Sequence, residues 1–201
     1  MTPSILVTGF EPFGGEVENP SAWLLNKIES DPRWSAHVKT LLLPVSFEQA
    51  SEAAVQALVS GDYKCWIGFG QAGGRAKICL ERVALNWIEA EIPDNEDRHP
   101  KPGPLRANEP PAYFSKAPLE DFKKAVQGAG LPVEISFSAG AYVCNALYFD
   151  ILRQMPREMW GVFVHVPYLP SQVLNRPETP SLSKEDLWKG AEALLGLALR
   201  S

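Results

Sequence analysis

Apolar residues fall along this chain in two rhythms. Short apolar runs read as strands: "SILVTGF" (4–10), "VKTLLLPVS" (38–46), "YKCWIGFG" (63–70), "VEISFSAG" (133–140) and "WGVFVHVPYLP" (160–170), the first and last as buried ones. Segments with apolar residues at helical spacing lie between and after them. "NPSAWLLNKIES" (19–30) opens on a capping Asn19 followed by Pro20, and "FEQASEAAVQALVSG" (47–61) closes on Gly61. "PLEDFKKAVQGAG" (118–130), "YVCNALYFDILRQM" (142–155) and "SLSKEDLWKGAEALLGLALRS" (181–201) complete the helical set. Strands alternating with helices predict one α/β domain over 1–201, a three-layer α/β/α sandwich around a mixed, largely parallel sheet.

One stretch inside this pattern matches a known fingerprint. "WIGFGQAGG" (66–74) contains Gly68-Phe69-Gly70-Gln71-Ala72-Gly73, the GxGxxG of dinucleotide-binding loops, placed just after a strand. That fingerprint works only where the loop opens a helix whose amides meet a pyrophosphate. The next residues, "RAKICLERVALNWIEAEI" (75–92), alternate with a period of two and carry no helix cap. They read as a strand, one of a hairpin pair near 78–92 that would make the sheet mixed. The nucleotide reading is therefore set aside, and the glycines serve either a tight turn or the close approach of a substrate.

Segment 92–118, "IPDNEDRHPKPGPLRANEPPAYFSKAP", is rich in proline and lacks periodicity. A structureless loop of that length is either functional or a solvated excursion, and it shows no metal-ligand spacing.

Composition narrows the function classes. The 201 residues have an apolar fraction of 45%, a charged fraction of 21% and a net charge of −5. That balance offers no basic stripe for nucleic acid. No apolar run is long enough to span a bilayer, and the start of the chain has no basic leader-like region. Three cysteines in separate segments suit a reducing, cytoplasmic setting better than a disulfide framework.

The chemistry concentrates in "SFSAGAYVCNALYF" (136–149). A strand ends in Ser-Ala-Gly and Cys144 follows at the start of a helix, where exposure and the helix N-terminus favour a nucleophilic thiolate. The competing reading is a small core residue. Of the three histidines, His37 lies in a surface connection and His99 in the proline-rich loop. His165 ends a strand expected to neighbour the one before Cys144, so both would reach one sheet edge as a nucleophile–base pair. Glu81 is a carboxylate in an apolar strand, and pairing with His165 would both satisfy it and orient the imidazole. Arg82 or a surface lysine is its rival partner. Cys65 and Cys79, within strands, are expected to be buried.

"GQAGGRAKICLERVALN", "ISFSAGAYVCN", "FVHVPYLPSQ" and "VTGFEPFGGEVENPSAW" together resemble the pyroglutamyl peptidase I family of cysteine peptidases, also called pyrrolidone carboxyl peptidases. The resemblance covers nearly the whole chain. It implies a Glu–Cys–His triad falling on Glu81, Cys144 and His165, and removal of N-terminal pyroglutamate from peptides through an acyl-enzyme. It also implies a fold related to nucleoside phosphorylases, a cytoplasmic location, a homotetramer, and no cofactor or metal. The resemblance places the Gly70–Gly74 loop along the active site, with its glycines approaching the ligand and Gln71 turned toward substrate. Phe10 and Phe13 become walls for the substrate ring, and Tyr142 and Val143 face the same pocket, Tyr142 opposite Phe13. Cys79 departs from the Ser or Thr usual in the family motif. Two alternatives remain at this point: a catalytically silent pyroglutamyl-peptide-binding protein, and a nucleoside phosphorylase-like enzyme, which would need phosphate-binding arginines.

Overall fold

The computed structural model describes residues 4–200. In chain order the elements are β1 (Ile5–Phe10), α1 (Pro20–Ser30), the single-turn α2 (Pro32–Ser35), β2 (Val38–Leu43), α3 (Gln49–Ser60), β3 (Cys65–Gln71), β4 (Ile78–Glu81), β5 (Val83–Leu85), β6 (Ala112–Phe114), α4 (Leu119–Gly128), β7 (Val133–Ser136), α5 (Val143–Gln154), β8 (Trp160–Val166) and α6 (Lys184–Ala198). Local chemistry sets several boundaries. Asn19 accepts from the Ser21 amide to start α1, with Pro20 as its first residue. Ser183 accepts from the Asp186 amide to start α6.

Six strands form the main sheet in the order β2-β1-β3-β8-β4-β7. β2, β1, β3 and β8 run parallel, whereas β4 is antiparallel to β8 and parallel to β7. The sheet is thus mixed and mostly parallel, as the alternating pattern predicts. Its two faces feed separate cores. Ile67, Phe69, Val162, Val164 and Val166 pack under residues of α1, α4 and α6. Leu6, Trp66 and Phe163 face Ala50, Ala54 and Leu58 of α3 and Ala146 to Ile151 of α5. Burial on both faces is why β1, β3 and β8 read as continuous apolar runs, whereas the edge strands β2 and β7 are only partly buried. Each large side chain so buried contributes on the order of 1.5–3 kcal/mol.

Two expectations are corrected. Residues 78–92 do not form a hairpin with themselves. β4 joins the main sheet between β8 and β7, and β5 pairs instead with β6 in a separate two-stranded sheet. The sheet is mixed because β4 and β7 are reversed. Segment 92–118 is also not structureless. It contains β6, its Gly103 bridges to Ile88, and Arg106 Nε and Nη2 grip the buried Asp150 carboxylate at 2.9 and 2.6 Å. The Asp94 carboxylate accepts from the Phe47, Glu96 and Arg98 amides, which folds residues 94–98 into a closed turn.

The glycine motif is also resolved. Gly68 and Gly70 lie inside β3, not in a loop. A Cβ built on Gly70 would stand 2.7 Å from the Phe163 ring and 3.0 Å from Cys144 Sγ, and one on Gly68 would stand 2.4 Å from Trp66. Gly73 carries the Tyr168 hydroxyl 2.4 Å from its own missing Cβ. These glycines make room for the protein's own side chains, a role the sequence reading did not include. Gly74, at φ +82°, is required by the turn itself.

Gly70→Ala is therefore expected to overpack the space between Phe163 and the sulfur, at a cost of about 1–3 kcal/mol. Urea unfolding of the variant beside the parent measures it, and an unchanged midpoint would show that the ring and sulfur yield freely.

Candidate active site

Glu81 ends β4 with its side chain at 0% exposure. A lone carboxylate there would be costly, and two donors meet it on one oxygen. His165 Nδ1 donates to Oε1 at 2.8 Å, and Arg75 Nη1 donates to the same oxygen at 2.7 Å. Oε2 makes no hydrogen bond to the described residues. The Tyr148 hydroxyl of α5 donates to the Glu81 backbone carbonyl at 2.9 Å and pins the strand end. Sequence reasoning named His165 as partner and missed Arg75. Its rival, Arg82, points elsewhere, pairing with Glu120 at 3.5 Å and lying over the Phe137 ring.

With Nδ1 committed to Glu81, His165 keeps Nε2 as the free ring nitrogen. Its ring stands edge-on to Phe163, centroids 4.9 Å apart. Gly70 is the register partner of His165 across β3 and β8, and such partners share a face. Since Cys144 Sγ lies 3.0 Å from the would-be Cβ of Gly70, the sulfur sits over this same pair of strands beside the imidazole. The route differs from the expected one. The strand before Cys144, β7, is not next to β8, because β4 stands between them. Residues 137–142 lead from β7 to α5, which begins at Val143 and carries Cys144 in its first turn. Asn145 fixes that turn: its side chain accepts from the Leu85 amide and donates to the Leu85 and Trp87 carbonyls.

Electrostatics correct a second expectation. Cys144 is partly exposed as a residue, but burial of its thiol, with Glu81 nearby, pushes its pKa up to about 12. The sulfur's own backbone amide at the helix start and Arg75 only partly oppose this. Burial likewise holds His165 below the ordinary imidazole range, against the pull of Glu81. Burial thus favours the neutral forms of thiol and imidazole and opposes the thiolate that the helix start favours. Desolvation outweighs the helix end.

Against the sulfur lies a small cavity lined by Phe10, Phe13, Asn19, Val45, Gln71, Tyr142, Val143 and Cys144. All five residues assigned to the pocket from sequence lie in that lining. Asn19 and Val45 were missed, the first because its capping role hid it. The Phe13 and Tyr142 rings stand 6.2 Å apart, and the space left between the walls is about 10 Å³, room for about one water. Both walls are braced from the proline-rich segment: the Tyr142 hydroxyl donates to the Pro93 carbonyl at 2.8 Å, and Asn95 Nδ2 to the Pro12 carbonyl at 3.0 Å. Gln172, in a short 3-10 turn after β8, donates to Gln71 Oε1 at 2.8 Å and so leaves the Gln71 NH2 free to face the cavity. His99 is remote in role, bound to the Ala90 carbonyl at 2.7 Å. Among the described residues, no three His, Cys, Asp or Glu side chains converge to hold a metal, and no helix is long and apolar enough to cross a membrane.

Comparison with known proteins agrees with this geometry. The family model described as "Pyroglutamyl peptidase" matches residues 3–200. The chain is 38% identical over 200 residues to pyrrolidone-carboxylate peptidase 1 of Caldanaerobacter subterraneus subsp. tengcongensis, covering 98% of both chains. It is 37% identical to the pyrrolidone-carboxylate peptidase of Bacillus licheniformis, covering 94% of this chain and 89% of that one. Its fold superposes on the crystal structure of pyroglutamyl peptidase I from Bacillus amyloliquefaciens with a TM-score of 0.90 and 32% identity, covering 98% and 95% of the two chains.

Limiting iodoacetamide is expected to reach Cys144 before Cys65 and Cys79, both fully buried. Because burial favours the thiol of Cys144, its labelling rate should still be climbing well above neutral pH. Mass-spectrometric mapping across pH checks both statements, and a rate already level at neutral pH would contradict the second.

Proposed function

The chain belongs to the pyroglutamyl peptidase family and is a cysteine-type exopeptidase hydrolase that removes N-terminal pyroglutamate, and we propose that Cys144, His165 and Glu81 carry the reaction. The observation that carries this assignment is the meeting of three things at one point: the Cys144 sulfur, the His165–Glu81 bond of 2.8 Å and an uncharged cavity with aromatic walls. The pyroglutamyl ring is small, flat and neutral, which suits walls of Phe10, Phe13 and Tyr142 with the Gln71 amide as a polar contact. The walls stand too close to admit a ring without separating, so binding begins with a movement of Phe13 or Tyr142. Phe13 precedes Gly14 and Gly15, at φ +62° and +81°, a turn with the freedom to yield.

In the reaction, the Cys144 proton passes to His165 Nε2 as Sγ attacks the pyroglutamyl carbonyl carbon. The backbone amide of Cys144, in the first turn of α5, donates to the developing oxyanion. Collapse of the tetrahedral intermediate breaks the C–N bond. His165 returns its proton to the departing amine, leaving a thioester. A water deprotonated by His165 then attacks the thioester, releasing free pyroglutamate and restoring the thiol. Glu81 stabilises the imidazolium formed in each half. Burial raises the thiol pKa, which favours base-assisted attack over a standing thiolate.

The family assignment favours this reading over a phosphorylase-like enzyme, and the intact triad favours it over a silent binding protein. Exposed apolar side chains such as Phe114 and Phe137 support a homo-oligomer, whose size light scattering would give. Three free thiols suit a reducing compartment such as the cytoplasm.

Cys144→Ala and His165→Ala are each expected to lower kcat on a chromogenic pyroglutamyl amide by several orders of magnitude with the fold retained. Glu81→Gln should cost less and displace the pH profile, since it keeps shape and loses charge. Substantial turnover by purified Cys144→Ala would overturn the mechanism.

The pocket is tested separately. Tyr142→Ala is expected to lower kcat/KM by roughly ten-fold or more, through loss of a wall worth on the order of 1–3 kcal/mol. Tyr142→Phe keeps the wall and loses only the bond to Pro93, about 1 kcal/mol of stability. Steady-state kinetics and melting of both variants separate a wall from a core residue.

A further inference from the structure

Arg75 belongs to the glycine-rich stretch, yet no step of the reaction uses it. Besides an interaction with the Cys79 thiol, its guanidinium makes three contacts to oxygen. Nη1 donates to Glu81 Oε1 at 2.7 Å and lies 3.5 Å from Ser136 Oγ, and Nη2 donates to the Ser138 carbonyl at 3.0 Å. Ser138 lies in the connection from β7 to α5, six residues before the nucleophile. One side chain therefore joins the carboxylate behind His165 to the segment that delivers Cys144.

The chain spends unusual backbone on this placement. After β3 ends, the turn over Ala72 to Arg75 needs Gly74 at φ +82° and a bare Gly73 beneath the Tyr168 hydroxyl. The turn throws Arg75 back toward the end of β4 instead of into solvent. Its side chain is 31% exposed while its partner is fully buried, so water reaches the far side of the guanidinium but not the carboxylate.

We propose that Arg75 is a positioning residue for the family reaction: it compensates the buried charge of Glu81, weakens the pull of that charge on a proton at the His165 ring, and fixes the approach to Cys144. The inference rests on the catalytic assignment of those three residues. The physical reason is competition for one oxygen. With Arg75 on Oε1, the charge of Glu81 is already compensated, and its demand for an imidazolium is reduced. Without Arg75 the carboxylate would be buried with only the imidazole against it. The pair would then bind a proton more readily, on either ring or carboxylate. A protonated His165 cannot accept from Cys144.

Other charged or titratable groups face this site. Cys144 comes from α5, and Tyr148, also on α5, bonds the Glu81 backbone. Cys79 lies on β4 opposite His165, with its thiol near Glu134 of β7, which is paired with Lys77. Burial raises the pKa of both thiols, so they are uncharged at neutral pH. Glu134 is already balanced by Lys77. That leaves Arg75 as the cation in hydrogen-bond contact with the Glu81 carboxylate among the described residues.

Two variants and two readouts test this. Arg75→Gln removes the charge and keeps amide donors; Arg75→Lys restores the charge without the fork. Arg75→Gln is expected to lower kcat/KM roughly ten- to hundred-fold, as for the loss of a charge-assisted hydrogen bond. It should also move the acid limb of the kcat/KM profile to higher pH, and Arg75→Lys should restore much of that limb. An Arg75→Gln enzyme whose folded fraction keeps the parent's acid limb would overturn the proposal, whatever its melting temperature. The second readout needs no turnover: a 15N NMR titration of the His165 ring in each variant. The proposal requires the proton to be taken up at higher pH in Arg75→Gln than in the parent. If Arg75→Gln does not fold, the same titration on Arg75→Lys against the parent decides, since a single ammonium cannot reach Glu81 and Ser138 together and some upward displacement must remain. No displacement overturns the proposal. Should the protein fail to hydrolyse pyroglutamyl amides at all, the catalytic assignment fails, while the titration still reports on Arg75.

Discussion

A carboxylate with no access to water stands at the end of β4, and much of the molecule is arranged around its charge. Glu81 cannot be left alone there without loss, because an uncompensated buried charge would cost a large share of a domain's stability. The compensation comes from far along the chain in both directions. β8 brings His165 from 84 residues away, and the turn after β3 returns Arg75 from six. The reversed direction of β4 makes this possible. Running antiparallel to β8, it sets Cys79 opposite His165 and ends at Glu81, level with Phe163, so the carboxylate reaches back along the strand to the ring.

Much of this was legible in the sequence, for reasons that differ by residue. Strands buried on both faces announce themselves as apolar runs, and α1 carries its cap in plain view, so the layered architecture could be read directly. Glu81 and His165 stood out because a titratable side chain within an apolar strand needs a partner. Strand order was not legible. Nothing local in "VEISF" or "ICLE" says that one strand will sit at the sheet edge and the other beside β8, so Cys144 was expected to approach from a neighbouring strand. The thiol's protonation state also escaped. Helix position is visible in a sequence, but desolvation depends on Phe163, Gly70 and the aromatic pocket closing around the sulfur. The packing role of the β3 glycines escaped for a related reason: they answer to Trp66 and Phe163, bulky residues whose facing positions only the pairing of β3 with β8 reveals.

On the proposed assignment, the cavity beside Cys144 would select by what its lining lacks. None of the eight residues around it carries a formal charge at neutral pH in this setting. A cyclised, neutral ring can enter such a place, whereas an open-chain glutamyl residue would bring an ammonium and a carboxylate with nothing to meet them. The segment that looked like a solvated excursion turns out to brace this selectivity. Pro93 and Asn95 hold Tyr142 and the turn of Phe13, and Asp94 between them ties the support to the start of α3.

The position of β8 also bears on how the polypeptide reaches this state. It lies in the middle of the main sheet, between β3 and β4, yet it is the last strand of that sheet in the chain. A nascent chain that has emerged only as far as β7 holds two half-sheets, each with an unpaired, strongly apolar edge. Such edges favour pairing with other molecules. Insertion of β8 closes both at once, and the same step delivers the imidazole. Completion of the sheet and placement of His165 beside Glu81 are thus one event in this topology.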